Sequence, residues 1–164
     1  MCPHHRHVST PTDPPTSADH PFTSWVGHHA AIRVPDYEVS KRWFVDQLHW
    51  RIVQEWMYGE LQLAYLGPPG DDHFHVEILG GPGATRQPAY DTVDDSLRLN
   101  GLNHVCIQVA SVDDSLAELR RRGVTIMGEP FELAAIDSRL AFFADPFGNL
   151  FELKQPLGRS PVPS

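Results

Sequence analysis

The chain has 164 residues, 41% hydrophobic and 21% charged, which is enough apolar material for one domain with its own core. A formal net charge of −8 argues against the basic stripe of a nucleic-acid face, and no apolar run is long enough to span a membrane. Only Cys2 and Cys106 are present, and the N-terminus carries no continuous apolar stretch of the secretory kind. A disulfide framework is not expected, and a reducing cytoplasm fits.

In chain order, residues 1–23 are rich in Pro, His, Ser, Thr and Asp without apolar periodicity and read as a disordered tail. His4, His5, His7 and His20 lie in it and are read as solvated rather than as a metal site. Trp25–Val34 reads as a strand. Pro35-Asp36 closes it and caps a helix over Tyr37–Leu48, whose Val39, Trp43, Phe44, Val45 and Leu48 make one apolar stripe. Strands are expected at Arg51–Met57, Leu61–Leu66 and His73–Leu79, separated by Gly59 and by Gly67-Pro68-Pro69-Gly70. A Gly/Pro/Asp-rich linker follows to residue 100. The order then repeats: strand Leu102–Val109, helix Val112–Arg122 between Asp113/Asp114 and Gly123, and strands Val124–Phe131, Arg139–Ala144 and Leu150–Leu153. Residues 156–164 read as a second tail. Each half is therefore β-α-β-β-β, a duplicated module of 24–80 and 101–155 within one domain, 24–155.

Two histidine–glutamate pairs mark the duplication. His29 and Glu77 are 48 positions apart, as are His104 and Glu152, and the halves repeat with a period of 75. Strand alternation puts Ala30, Ile32 and Val34 on an apolar face for the helix, and His29, Ala31 and Arg33 on the other. The second half repeats this, with Val105, Ile107 and Val109 against His104, Cys106 and Gln108. His73, His75, Glu77 and Leu79 share a face, as do Leu150, Glu152 and Lys154. An inward carboxylate is costly unless it is paired, hydrogen-bonded or bound to a metal. Two imidazoles and two carboxylates at matched positions point to one divalent transition metal, Ni, Co, Zn, Mn or Fe, held by His29, Glu77, His104 and Glu152 with positions left for a substrate.

These frames, Gly-His-His-Ala-Ala-Ile-Arg-Val at 27–34, Gly-Leu-Asn-His-Val-Cys-Ile-Gln-Val at 101–109 and Phe-Ala-Asp-Pro-Phe-Gly-Asn-Leu-Phe-Glu-Leu at 143–153, resemble the vicinal oxygen chelate superfamily, its glyoxalase I-like branch in particular. The resemblance covers about residues 25–155. It implies an α+β fold in which two tandem βαβββ modules form a curved eight-stranded mixed sheet around a metal. It also implies ligands at His29, Glu77, His104 and Glu152, with Glu152 as the base and Glu77 as its symmetric partner. The chemistry implied is a 1,2-proton transfer, as in a lyase, isomerase or epimerase, on a small substrate chelated through adjacent oxygens. Arg33 matches an arginine that glyoxalase I uses for glutathione. Gly81 and Asn100 stand where that enzyme has an asparagine and an arginine, which argues against glutathione dependence. Two alternatives follow from the same resemblance: an Fe(II) extradiol-type dioxygenase using His29, His104 and Glu152, and a non-catalytic protein that binds a small molecule or antibiotic. Relatives commonly form homodimers, and one is expected here.

Around the metal, His75, Arg33, Trp56, Tyr65 and Phe143 are the candidates for contacting substrate. Cys106, on the face of His104, reads as an inert small residue because no base is matched to it.

Overall fold

The computed structural model describes residues 21–85 and 88–158; the tail histidines at 4, 5, 7 and 20 and Cys2 lie outside the described residues. A 3-10 turn at Pro21–Ser24 leads into module one: β1 (His29–Val34), α1 (Tyr37–Leu48), β2 (Arg51–Tyr58), β3 (Leu61–Gly67) and β4 (His75–Gly80). A short α2 (Val93–Ser96) lies in the linker. Module two is β5 (His104–Gln108), α3 (Val112–Arg121), β6 (Thr125–Ile126), β7 (Phe131–Leu133), a 3-10 turn at Ala134–Ile136, β8 (Ser138–Ala144) and β9 (Leu150–Pro156). Among the described residues no helix is long and apolar enough to cross a membrane.

The architecture is α+β, two βαβββ modules in tandem. Hydrogen bonding divides the strands into a four-stranded sheet, β1-β4-β3-β2, and a five-stranded sheet, β5-β9-β8-β6 with β7 also on β8. In each, the first strand runs parallel to the last and the remaining pairings are antiparallel. The strand expected over 124–131 is broken into β6 and β7. Gly128, at φ 96°, turns the chain between them, and Pro130 has no N–H to give a ladder. The first strand begins at His29 rather than Trp25, and β9 runs on from Leu153 to Pro156, the first residue of the expected second tail.

Local chemistry sets the helix ends. The Asp36 side chain accepts from Val39 N, and Ser111 Oγ accepts from Asp114 N, each satisfying one of the unpaired amides of a first turn. Helix α1 ends at His49, which takes the left-handed conformation at φ 55°. Two of the carbonyls left free there, Asp46 O and Gln47 O, accept from the Arg122 guanidinium of module two, both at 3.1 Å.

One apolar core serves both modules. Ile32, Val34, Ala64, Leu66, Val76 and Ile78 from the first sheet share a cluster with Val105, Ala141, Phe143, Phe151 and Leu153 from the second. Helix α1 joins them: Phe44, fully buried, meets Phe151 edge-on at 5.7 Å, and Trp43 lies 6.3 Å from Phe143. The sheets therefore back onto one another through α1, and the opposite face of each turns away from this core. The alternation expected for β1 and β5 holds: Ile32, Val34 and Val105 are buried, with Ala30 and Ile107 packed against the cluster.

Candidate functional site

On the outward face of the first sheet, parallel pairing sets His29 opposite His75 and Ala31 opposite Glu77, while β3 sets Tyr65 opposite Glu77. The diagonal brings His29 Nε2 to 3.2 Å from Glu77 Oε2. The second sheet repeats the arrangement. Cys106 and Phe142 lie opposite Glu152, and His104 Nε2 is 3.2 Å from Glu152 Oε2. Both carboxylates are nearly buried, at 9% exposure, and the ion-pair partner of each is its imidazole. A carboxylate so removed from water, facing an imidazole nitrogen and, among the described residues, no permanently charged side chain at bonding distance, suits a bound cation. The donor set, one imidazole nitrogen and one carboxylate oxygen from each half, fits a divalent transition metal.

The structure gathers the four residues as two pairs. Among the described residues no cluster of three or more His, Cys, Asp and Glu side chains has the geometry to hold a metal. The convergence of all four on one centre, expected from the pseudo-symmetry, does not occur within a single chain. Each pair lies on the face its sheet turns away from the shared core.

The surroundings of the two pairs differ. Beside His29 the rings of His28, Tyr65 and His75 form a polar aromatic cluster, with Tyr65 5.0 Å from His29 and His28 5.3 Å from both Tyr65 and His75. Trp56 closes it, 4.6 Å from Tyr65. Trp56, Tyr65 and His75 thus lie in one ring cluster beside this pair. His75 is 7% exposed, and its Nδ1 is buried without a hydrogen-bond partner. Beside His104 the wall is apolar: Phe142 meets it edge-on at 5.5 Å, with Phe131 stacked beyond. Cys106 donates to Glu152 Oε1 at 3.4 Å, and burial together with the neighbouring carboxylate pushes its thiol up to about 11.

Two candidates are corrected. Phe143 points into the core, 2% exposed and stacked on Phe151 at 5.3 Å. Alternation along β8 gives the pocket position to its neighbour Phe142. Arg33 does not wait for an anionic substrate: its guanidinium donates to Val34 O, Leu79 O, Gly81 O and Pro82 O at 2.7–2.9 Å, pinning the start of the linker. Four carbonyls occupy donors that a carboxylate would need. Cavities of about 410 and 420 Å³ meet at Arg33 beneath the linker, and Tyr90 lines both, its hydroxyl donating to Gly148 O at 2.6 Å.

Sequence reasoning passed over His28 as a functional residue and missed Asn103. Each immediately precedes a ligand candidate and touches its Nδ1 at 2.9 Å. The available signal was position: a polar side chain directly before each strand-opening histidine.

A family model described as the glyoxalase/bleomycin resistance protein/dioxygenase superfamily matches residues 27–153. The uncharacterized protein YwkD of Bacillus subtilis is 31% identical over 121 residues, 73% of this chain and 88% of that protein. The crystal structure of SMU.1112c superposes with a TM-score of 0.67 at 24% identity, covering 80% of this chain and 98% of that one. The trypanothione-dependent glyoxalase I of Leishmania major superposes with a TM-score of 0.60 at 23% identity, covering 81% and 88%. The structural likenesses bear on the fold, and the family match spans both His–Glu pairs: this chain belongs to the glyoxalase/bleomycin resistance protein/dioxygenase superfamily.

Proposed function

We propose that the protein is a metal-dependent glyoxalase-like enzyme that moves a proton between adjacent carbons of a small substrate chelated through neighbouring oxygens. The observation that carries this reading is the repeated 3.2 Å His–Glu pair, in which each nearly buried carboxylate faces one imidazole nitrogen. His29, Glu77, His104 and Glu152 would hold the metal. When bound, a divalent cation supplies Lewis acidity that makes a carbon-bound proton beside the chelating oxygens removable. The chain's own groups do the rest. Glu152 Oε takes the proton and returns it to the neighbouring carbon, with Glu77 as its symmetric counterpart. Phe142 and Phe131 exclude water on one side, and Trp56 and Tyr65 offer the substrate a ring face and a hydroxyl on the other.

Because a single chain gathers only two pairs, the complete site is proposed to form in a homodimer, each copy giving one pair. Apolar side chains left in solvent support a partner copy. On the edge strand β2, Met57 is 60% and Tyr58 75% exposed, and Leu102, just before β5, is 69% exposed. Edge strands of this kind are usually covered.

Elemental analysis tests the reading, using full-length protein whose tail histidines are replaced by glutamine. About one divalent ion per chain is expected, lost on His104→Ala with Glu152→Ala. A protein without metal would fall to the antibiotic-binding reading. Stoichiometric iron with oxygen uptake on catechols would replace proton transfer with dioxygenase chemistry using His29, His104 and Glu152.

A further inference from the structure

We infer that Asn103 is a positioning residue that fixes the tautomer of His104 and keeps its Nε2 lone pair free for a metal. The inference rests on the proposed role of His104 as a ligand, and it goes further by naming what holds that ligand ready.

One hydrogen-bond chain runs from α2 to His104. Ser96, at the end of α2 and 2% exposed, donates its hydroxyl proton to Val93 O at 2.6 Å. Its Oγ is then left to accept, and its backbone O has only that role. The Asn103 side chain touches both, at 3.1 and 3.4 Å. The amide end facing two acceptors must be the NH₂, so the Asn103 carbonyl oxygen faces His104 Nδ1, 2.9 Å away. An amide oxygen only accepts. His104 Nδ1 therefore carries a proton, and in the neutral ring Nε2 is bare.

That tautomer is the unexpected one for a metal-free pair. Nε2 stands 3.2 Å from Glu152 Oε2, so a neutral ring left to itself would put its proton on Nε2 and donate to the carboxylate. In the neutral ring Asn103 holds two acceptors face to face, an arrangement that a cation relieves. Module one lacks the anchor. His29 Nδ1 meets His28 Nδ1 at 2.9 Å, and an imidazole can present either a donor or an acceptor, so that pair sets no tautomer. The two halves of the site are thus unequal: the module-two histidine is preset and the module-one histidine adapts.

Long-range ¹H–¹⁵N spectra of metal-free, full-length protein in alkaline buffer, with His104 assigned through His104→Gln, read the tautomer directly. The wild type is expected to show Nδ1–H at His104. Asn103→Leu should flip it to Nε2–H, and Asn103→Asp should keep Nδ1–H because a carboxylate also only accepts. In the background with tail histidines replaced, Co²⁺ titration should show roughly 10–100-fold weaker binding for Asn103→Leu and less loss for Asn103→Asp. Wild-type His104 found as Nε2–H overturns the inference, whether or not Asn103→Leu folds. So does an Asn103→Leu protein with unchanged tautomer and Co²⁺ affinity. A wild type that binds no Co²⁺ would instead overturn the proposed function, and the spectrum alone would then decide the role of Asn103.

Discussion

Carboxylates in three settings show how neighbours, not residue type, decide behaviour here. Asp145 is buried in the turn before β9; desolvation raises its pKa, while hydrogen bonds from Phe147 N, Asn149 N and the Asn149 side chain at 2.7–2.9 Å pull the other way. Glu118 is half-exposed, and hydrogen bonds from the Arg121 and Arg122 guanidiniums lower it from 4.5 to about 2. Glu77 and Glu152 are nearly buried against imidazoles, the setting that a metal would complete. For Glu118 the sign follows from a depressed folded-state pKa. Its stabilisation is present above pH 4.5 and is lost as the pH falls toward about 2. Denaturant midpoints measured across that window should fall for the wild type, and Glu118→Gln should flatten that part of the profile. The effect is small because solvent screens the pair. It still reaches beyond Glu118, since Arg122 also holds the C-terminal carbonyls of α1.

At the scale of elements, α1 starts in tight contact with the end of β4. A Cβ added to Gly80 would stand 2.3 Å from Tyr37 Cβ and 2.7 Å from Tyr37 Cα. Backbone lies behind the clash, so it cannot be relieved by a rotamer change. Gly80→Ala is expected to destabilise by about 1–3 kcal/mol, read as a lower denaturant midpoint with unchanged slope. Tyr37 is held there by its hydroxyl, which donates to Glu55 Oε1 at 2.7 Å, and burial raises its pKa. Most elements were legible in the sequence because their periodicity and caps agree: α1 matches Tyr37–Leu48, and β2, β3 and β8 fall within a residue of expectation. Helix α2 was missed. It is one turn long, carries no apolar stripe, and is defined by Thr92 Oγ1 accepting from Asp95 N. Its importance comes from Ser96 meeting Asn103, a contact that no local pattern encodes.

At the scale of the molecule, the His–Glu pairs face away from a shared core, and a complete site requires a second copy under the proposed function. Mixing two inactive proteins tests this. His29→Ala with Glu77→Ala damages one pair, and His104→Ala with Glu152→Ala damages the other. In a mixed dimer, one site combines both lesions and its mate combines both intact pairs. Unfolding and refolding the two together should restore roughly a quarter of wild-type metal binding, the statistical yield for a twofold assembly. Absence of restoration, with mixed dimers shown by sedimentation, would overturn the shared site.

The sequence by itself determined the duplication, the strand faces and the four ligand candidates, because side-chain alternation is a local rule that fixed spacing makes visible. Tertiary structure decided what depends on contacts between distant segments. It turned Phe143 inward against Phe151 and left Phe142 beside His104. It engaged Arg33 with four linker carbonyls. It set Asn103 between Ser96 and His104. It also separated the two pairs, because burying both apolar sheet faces around Trp43 and Phe44 of α1 turns the polar faces outward. A matched spacing shows which residues are equivalent, and only the packing of the modules shows whether equivalents meet.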